Sequence, residues 1–164
     1  MRTHLLLIAI VSFMYSCTSA QVETPKSDTM TKPTVVKSEE DWKKELTPMQ
    51  YHVLRESGTE RPGTGEYNLH FEDGKYHCAG CNAELFSSES KFESHCGWPS
   101  FDAALNDSTV TEVIDRSHGM TRVEIRCAKC DGHLGHVFND GPTKTGVRYC
   151  INSAALGFDK NSEE

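Results

Sequence analysis

Basic residues are scarce in this chain: 17 Lys and Arg stand against 24 Asp and Glu, which gives a formal net charge of −7 at pH 7. Binding to nucleic acids or to anionic membrane surfaces depends on a basic footprint that releases counterions. That footprint is missing. We therefore expect no nucleic-acid partner and no anionic membrane surface as a partner of the folded domain.

Long hydrophobic runs, long periodic helices and repeats are also missing. The apolar run at residues 5–11 is too short to cross a bilayer as a mature helix. No helical periodicity extends far after residue 60, and the only repeated feature is a pair of similar cysteine motifs. At 164 residues, with 37% hydrophobic residues, the chain fits one domain and a tail rather than two domains.

The N-terminus has the pattern of an export signal. Arg2 precedes the apolar run, which ends at Ser16-Cys17, and this end resembles the cleavage and lipidation site of a bacterial lipoprotein. Ordinary cleavage after Ala20 is the alternative and would remove Cys17. Both routes place the mature protein outside the cytoplasm, in the periplasm or as a membrane-anchored lipoprotein with its lipid on Cys17.

Composition then divides the chain into three parts. Residues 1–17 are the export signal. Residues 18–37 are rich in Thr, Ser, Pro and Lys with little to bury, which is typical of a flexible tether. Residues 38–164 form the folded domain.

Capping residues predict two short helices at the start of that domain. Ser38 with Asp41 begins the first. Thr47, Pro48 and Gln50 give the second an N-cap, a proline in the first turn and a capping-box partner. The second helix should end before Gly58.

The rest of the domain has the period of β-strands. Residues 67–71 alternate between apolar and polar before the Asp73-Gly74 turn, which predicts a hairpin returning through residues 75–78. Further strands are predicted at residues 110–115, 121–127 and 146–153, the last as the final strand. The pattern favours a mainly β, antiparallel domain with small helices at one end.

Four of the seven cysteines form two Cys-x-x-Cys pairs: Cys78 with Cys81, and Cys127 with Cys130. Two such pairs can complete a tetrahedron of thiolates around one zinc ion (Zn2+). Four thiolates leave no open coordination position, so the zinc would be structural. A redox function, which exported cysteines allow, is the alternative, but it needs a strand-to-helix setting and these pairs fall on predicted hairpins.

Cys150 lies on the polar face of its predicted strand. Alternation sends Val147, Tyr149 and Ile151 to one face and Arg148, Cys150 and Asn152 to the other. A nearby guanidinium favours the reactive thiolate, and Asn152 could orient a substrate atom or hold a histidine. The alternative is an inert buried thiol.

Two further segments carry candidate functional residues. His133 and His136 could donate a proton to a departing oxygen at neutral pH; a surface or structural role is the alternative. Cys96 lies in a tight loop suited to a thiol that meets a second sulfur. Trp98 in that loop offers a flat apolar wall, or is simply a core aromatic.

Several segments together resemble a known family. GWPSF at residues 97–101, HLGHVF at 133–138, GPTKTGVRYCINSAAL at 141–156 and the paired cysteine motifs are similar to those of methionine-R-sulfoxide reductases of the B type. The resemblance extends over residues 42–160. It implies two antiparallel sheets with small peripheral helices, stapled by the zinc site of the metal-containing branch.

The resemblance also implies a reaction. Cys150 would attack the sulfoxide sulfur and become a sulfenic acid, which Cys96 would resolve as a Cys96–Cys150 disulfide. His136, helped by His133, would donate protons, with Arg148 and Asn152 in the polar surroundings. Trp98 would receive the substrate methyl group, and His118 would line the pocket.

The same resemblance suggests partners and two departures. The substrate would be methionine-R-sulfoxide in oxidised proteins, and a thioredoxin-like reductant, not assumed to be the cytoplasmic one, would recycle a monomeric enzyme. His95 stands where relatives often have glycine, and one hypothesis is that it lowers the pKa of Cys96. Gly63 stands where an aromatic residue is common, which alters one pocket edge.

Three other functions fit part of the pattern. A general extracytoplasmic thiol–disulfide oxidoreductase would use Cys96 and Cys150 on protein disulfides, without preference for sulfoxides. A zinc-ribbon interaction module would leave both thiols incidental. A catalytic zinc hydrolase is disfavoured because four thiolates fill the metal's coordination shell.

Overall fold

The computed structural model describes residues 32–161. Within that range the chain forms two helices and nine strands: α1 Glu39–Glu45, α2 Pro48–Glu56, β1 Gly74–Cys78, β2 Glu84–Ser87, β3 Lys91–Phe92, β4 Ser100–Phe101, β5 Val110–Asp115, β6 Arg122–Cys127, β7 His133–Phe138, β8 Arg148–Ile151 and β9 Leu156–Lys160. Single 3-10 turns at Ser88–Ser90, Ser117–Gly119 and Ser153–Ala155 follow β2, β5 and β8. No helix in this range has the length and apolar character needed to cross a membrane.

The strands form two antiparallel sheets. One has the order β2-β1-β9, and the other has the order β3-β4-β8-β7-β6-β5. The expectation of a mainly β fold with two antiparallel sheets and small helices is confirmed.

Both helices begin as their capping residues predict. The Ser38 hydroxyl accepts a hydrogen bond from the backbone N–H of Asp41. At α2, the Gln50 backbone N–H donates to Thr47 Oγ1 (3.3 Å) and the Thr47 N–H donates to Gln50 Oε1 (2.9 Å). These reciprocal bonds satisfy two backbone donors that a helix start would otherwise leave free.

The predicted strand at residues 67–71 is wrong. Residues 67–69 form a turn and residues 70 and 71 have no regular structure, because both edges of β1 are already occupied by β2 and β9. Leu69 and Phe71 are 66% and 49% exposed, so their alternation does not mark a buried face. The first cysteine pair still lies on a hairpin, which is the one between β1 and β2.

The predicted final strand is too long and is not the last. β8 ends at Ile151, and the next residues leave the sheet in the 3-10 turn before β9 returns to pair with β1. Two backbone N–H groups of that turn, from Ser153 and Ala154, donate to the Glu60 carboxylate. A carboxylate from a distant loop thus takes the hydrogen bonds that a sheet neighbour would have provided.

Aromatic side chains join the two sheets. Phe86 of β2 stacks on Phe101 of β4 with ring centroids 4.4 Å apart, and Tyr76 of β1 meets Phe101 edge-on at 5.1 Å. All three are fully buried. Burying a side chain of this size stabilises the fold by about 1.5–3 kcal/mol.

The helices cover the end of the domain where the cysteine pairs lie. A Cβ added to Gly80, between Cys78 and Cys81, would come within 3.4 Å of Leu54 and 3.5 Å of the Trp42 ring. The Arg55 guanidinium donates to the Cys130 carbonyl (3.2 Å).

The chain contacts this end before the predicted domain start at Ser38. The backbone N–H groups of Thr34 and Val35 donate to the Lys129 carbonyl at 3.0 and 2.9 Å. The predicted export signal, Cys17 and most of the tether lie outside the described residues.

Candidate active site

Strand register brings three candidate side chains into one row. Cys150 of β8 is paired with Ser100 of β4 on one side and with His136 of β7 on the other. Directly opposed residues of antiparallel strands point to the same face of a sheet. The row Ser100, Cys150, His136 therefore presents a thiol between a hydroxyl and an imidazole.

Close contact between β7 and β8 depends on Gly135. A Cβ at this position would lie 2.0 Å from the Cys150 carbonyl oxygen, a separation that no side chain can occupy. The glycine between the two histidine positions therefore lets the strand that carries His136 approach the backbone of Cys150.

The Cys96 loop places its thiol against that of Cys150. The two Sγ atoms are 3.7 Å apart, although their residues are 54 positions apart in the sequence. A disulfide has an S–S length of about 2.05 Å, so a small approach of the two sulfurs would join them. Gly97, with φ +94°, makes the turn that carries Cys96 inward.

The two thiols influence each other's protonation. The hydrogen bond from Cys150 is the largest cause that lowers the pKa of Cys96 to about 4. The same contact, together with burial, raises the pKa of Cys150, and Arg148 acts in the opposite direction. The pair therefore releases one proton easily and holds the second, and the resulting charge is shared between two sulfurs in contact.

Arg148 is fixed on the same strand as Cys150. Its Nε and Nη2 donate to the two carboxylate oxygens of Asp140 at 2.8 and 2.9 Å, and its guanidinium lies 4.6 Å from the centroid of the Phe138 ring. A bidentate pair of this kind holds the cation in one orientation.

His136 is oriented by a carboxylate. Its Nε2 lies 2.8 Å from Asp115 Oδ2, which also accepts from Arg122 at 2.6 Å. Hydrogen bonds from Ser117 first, and then from His136, hold the pKa of Asp115 well below its usual range. Burial lowers the pKa of His136, and the Asp115 carboxylate opposes that shift. With Nε2 engaged, Nδ1 is the nitrogen left for chemistry.

His133 is buried next to His136, with ring centroids 5.5 Å apart. Its Nδ1 lies 2.6 Å from Glu124 Oε1. Its Nε2 is buried and has no hydrogen-bond partner among the described residues. A buried imidazole nitrogen without a partner is available for a substrate or water oxygen.

Trp98 and Asn152 are joined through Glu60. The half-buried Trp98 indole donates to the Glu60 carbonyl (3.2 Å), and the Glu60 backbone N–H donates to Asn152 Oδ1 (3.2 Å). The amide nitrogen of Asn152 donates to the Leu134 carbonyl (3.0 Å). Asn152 thus hydrogen-bonds backbone groups around the site, and its predicted direct part in the reaction stays a prediction.

His118 lies on the exposed turn between β5 and β6, with φ +54°. The turn adjoins Asp115, which contacts His136. The pocket-lining roles of His118 and Trp98 also remain predictions.

The two positions that differ from the family pattern, His95 and Gly63, have local explanations. His95 has φ +58°, a conformation that favours glycine. Its side chain is 81% exposed and lies 3.2 Å from Glu93, so the structure gives no support to an effect of His95 on the pKa of Cys96. Gly63 donates its backbone N–H to the Gly97 carbonyl (2.8 Å), and a Cβ there would meet open space.

Two important residues escaped the sequence-based prediction. Glu60 is only 5% exposed and accepts two backbone hydrogen bonds, but it lies in a loop without any pattern. Asp115 ends a predicted strand, and no spacing rule connects it with His136, 21 residues away. Both act through contacts that only the tertiary fold creates.

The four paired cysteines form a compact cluster. Their Sγ atoms all lie within 4.8 Å of one another, with 3.7 Å between Cys78 and Cys130 and 3.6 Å between Cys81 and Cys127. A tetrahedral ion with metal–sulfur bonds of about 2.3 Å needs sulfur separations of roughly 3.8 Å. The cluster fits a metal ion.

Comparisons with known proteins show the family of this chain. Residues 46–160 match the family described as SelR domain. Over 132 residues, 79% of this chain and 95% of the relative, the sequence is 60% identical to a peptide methionine sulfoxide reductase MsrB of Bradyrhizobium diazoefficiens. An MsrB of Leptospira interrogans is 60% identical over 126 residues, which cover 77% of this chain and 96% of the relative. An MsrB of Chromohalobacter salexigens is 58% identical over 125 residues, which cover 76% of this chain and 94% of the relative.

The chain belongs to the B-type methionine sulfoxide reductases. The resemblance inferred from the sequence motifs is confirmed. The candidate active site of this enzyme consists of the Cys96–Cys150 contact and the row formed by Ser100, Cys150 and His136.

The Glu60 carboxylate should be required for the stability of this site. In Glu60→Gln one oxygen is replaced by an NH2 group that faces a backbone N–H, so one buried donor is left unpaired. We expect the free energy of unfolding in urea to fall by about 2 kcal/mol. The exposed Glu66→Gln is the control and should change it by less than about 0.5 kcal/mol. A Glu60→Gln variant as stable as its control would contradict this role.

Proposed function

We propose that the protein reduces methionine-R-sulfoxide to methionine, with Cys150 as nucleophile and Cys96 as second thiol. The observation that carries the proposal is the 3.7 Å contact between the two sulfurs beside His136. Returning a sulfoxide to a thioether requires a thiolate, a proton donor and a second thiol to accept the oxidation.

In the first step the negative charge that the two thiols share lies on the Cys150 sulfur, which attacks the sulfoxide sulfur. The sulfoxide oxygen takes up one proton, with His136 Nδ1 or the unpartnered His133 Nε2 as the source. The protonated oxygen then moves from the methionine sulfur to the Cys150 sulfur as the methionine S–O bond and the newly formed S–S bond break. Methionine leaves, and Cys150 carries the oxygen as a sulfenic acid. The sulfoxide is thereby reduced by two electrons and the Cys150 sulfur is oxidised by two.

In the second step Cys96 attacks the Cys150 sulfur. The S–OH bond breaks, the hydroxide takes a proton and leaves as water, and a Cys96–Cys150 disulfide forms. Cys96 attacks as the thiolate, which is the reactive form. The Cys150 thiol is the largest cause of the low pKa of Cys96 in the reduced pair, and Ser94 and Ser100 are further groups that lower it. An external dithiol, which we propose to be thioredoxin-like, returns the disulfide to two thiols.

Selectivity for the R epimer is assigned to Trp98. Its indole is held by the Glu60 carbonyl beside the Cys96 loop, where it can receive the substrate methyl group. One sulfoxide epimer then turns its oxygen toward the histidines, and the other epimer turns it away.

The metal of the cysteine cluster is proposed to be zinc. Cys78 comes from the first sheet, Cys127 from the second, and Cys81 and Cys130 from the turns that follow. Zinc bound by these thiolates would supply a cross-link between the sheets and no reactive position.

We further propose that the enzyme acts outside the cytoplasm as a monomer. The support is the leader sequence with Ser16-Cys17, which favours an exported protein carrying a lipid on Cys17. The mass of the mature N-terminal peptide distinguishes lipidation at Cys17 from cleavage after Ala20.

Turnover of separated epimers tests the proposed reaction. With dithiothreitol as reductant, we expect the R epimer alone to be reduced, Cys150→Ser to be inactive, and Cys96→Ser to keep turnover because dithiothreitol reaches the sulfenic acid directly. Product methionine is measured by chromatography. A folded wild-type protein that reduces neither epimer but reduces protein disulfides would instead be a thiol–disulfide oxidoreductase.

The pH dependence of turnover tests His136 as the proton donor. A donor must be protonated, so activity is present below the pKa of His136 and is lost as pH rises through it. Asp115→Asn removes the carboxylate that raises this pKa against burial. The alkaline limb of kcat should therefore move to lower pH, by a shift on the order of one unit. The exposed Asp107→Asn is the control. If the alkaline limb of kcat falls at the same pH in Asp115→Asn as in Asp107→Asn, His136 is not the proton donor.

Loss of one metal ligand tests the structural zinc. Cys130→Ser should lose bound zinc and the native thermal transition, because structural zinc contributes folding free energy on the order of 10 kcal/mol. Cys96→Ser, which keeps all four ligands, should retain both. Zinc is measured by elemental analysis and unfolding by circular dichroism. A Cys130→Ser variant with native thermal stability would refute the proposed cross-link.

A further inference from the structure

Two serine hydroxyls surround the Cys96 sulfur. Ser94 Oγ donates to Cys96 Sγ at 3.0 Å, and Ser94 Oγ lies 2.7 Å from Ser100 Oγ. Ser100 Oγ is itself 3.6 Å from Cys96 Sγ. Ser100 is almost completely buried and Ser94 is half-buried, so water competes little for these hydroxyls.

The number of hydrogens restricts the directions of these hydrogen bonds, and the distances select one of them. Each hydroxyl has one hydrogen to donate. The 2.7 Å contact of Ser100 with Ser94 is shorter than the 3.2 Å contact of Ser100 with the Trp98 carbonyl. When Ser100 donates to Ser94, the Ser94 hydrogen is free for the sulfur. The resulting chain runs from Ser100 through Ser94 to Cys96, and such chains strengthen the terminal bond in a low-dielectric site.

We propose that Ser94, aligned by Ser100, is the positioning residue that stabilises the thiolate of Cys96. It thereby sets the reduction potential of the Cys96–Cys150 pair. The inference rests on the proposed function for the role of Cys96 as the second thiol. Hydrogen bonds to a charged acceptor are about twice as strong as neutral ones, so Ser94 stabilises the thiolate more than the thiol.

Among the other groups around Cys96, the Trp98 carbonyl lies 3.6 Å from Cys96 Sγ and accepts from the thiol, and the neighbours on β8 act in the opposite direction. The Cys150 thiol and Arg148, both on β8, favour the Cys96 thiolate through a hydrogen bond and through charge. On the Cys96 loop itself, His95 and Glu93 pair with each other. Ser94 and Ser100 lower the pKa of Cys96 further, although Cys150 is the larger cause.

Stabilising the thiolate also favours the reduced pair over the disulfide. A disulfide forms less readily when one of its thiolates is stabilised, and it is then a better electron acceptor. The Ser94 hydrogen bond would therefore make the Cys96–Cys150 disulfide easier for an external dithiol to reduce. It would also make Cys96 a better leaving group in that exchange.

The test compares Ser94→Ala with Ser94→Thr in the zinc-loaded full-length chain. Alkylation of Cys96 by iodoacetamide is followed against pH, with each cysteine resolved by peptide mass spectrometry. Ser94→Ala should raise the pKa of Cys96 by about one unit, the worth of one charge-assisted hydrogen bond. Ser94→Thr keeps the hydroxyl and should restore the wild-type value. The exposed Ser108→Ala is the control.

Equilibration in glutathione buffers gives the second readout. Ser94→Ala should shift the dithiol–disulfide equilibrium about tenfold toward the disulfide, which corresponds to roughly 30 mV for a two-electron couple. If Ser94→Ala fails to fold, Ser94→Gly removes the same hydroxyl and should give the same shifts.

Two results would overturn the inference. Unchanged pKa and equilibrium in Ser94→Ala or Ser94→Gly would show that the hydroxyl does not act on Cys96. Equal shifts in Ser94→Ala and Ser94→Thr would show a merely structural effect. Neither measurement uses methionine sulfoxide, so a failed inference is distinguishable from a failed reductase assignment.

Discussion

The register of β8 between β4 and β7 is the constraint on which the site depends. It places Cys150 directly between Ser100 and His136, and a slip by one residue would turn Cys150 to the opposite face. Gly135 permits the close approach of β7, and the Glu60 carboxylate holds the turn that ends β8. Together they keep Cys150, Cys96 and His136 in one arrangement.

The cysteine cluster brings together residues from both sheets. Cys78 ends β1 of one sheet and Cys127 ends β6 of the other, while Trp42 and Leu54 cover the turn between Cys78 and Cys81. The two kinds of cysteine are thereby separated in function. Four lie close enough to bind a metal ion, and two contact each other on a strand and a loop in the candidate active site.

Local signals predicted much of this arrangement from the sequence. Capping residues predicted both helices, turn residues and alternation predicted β5 and β6, and cysteine spacing predicted the cluster. The strand predicted at residues 67–71 was wrong because the alternation of apolar and polar residues does not reveal that the edges of β1 are occupied by β2 and β9. Glu60, Asp115 and Ser94 act through distant or irregular contacts, for which no periodic pattern exists. The family motifs supplied the chemistry, and the fold supplied the groups that orient it.

The central claim is that one sulfoxide oxidises one Cys96–Cys150 pair, and a single-turnover experiment tests it most directly. The fully reduced protein is mixed with one equivalent of methionine-R-sulfoxide without any reductant, and peptide mass spectrometry follows both cysteines while chromatography follows methionine. The account predicts one methionine for each Cys96–Cys150 disulfide, and in Cys96→Ser one methionine for each sulfenic acid trapped at Cys150. Methionine formed while both cysteines stay reduced, or a disulfide formed without methionine, would contradict the account.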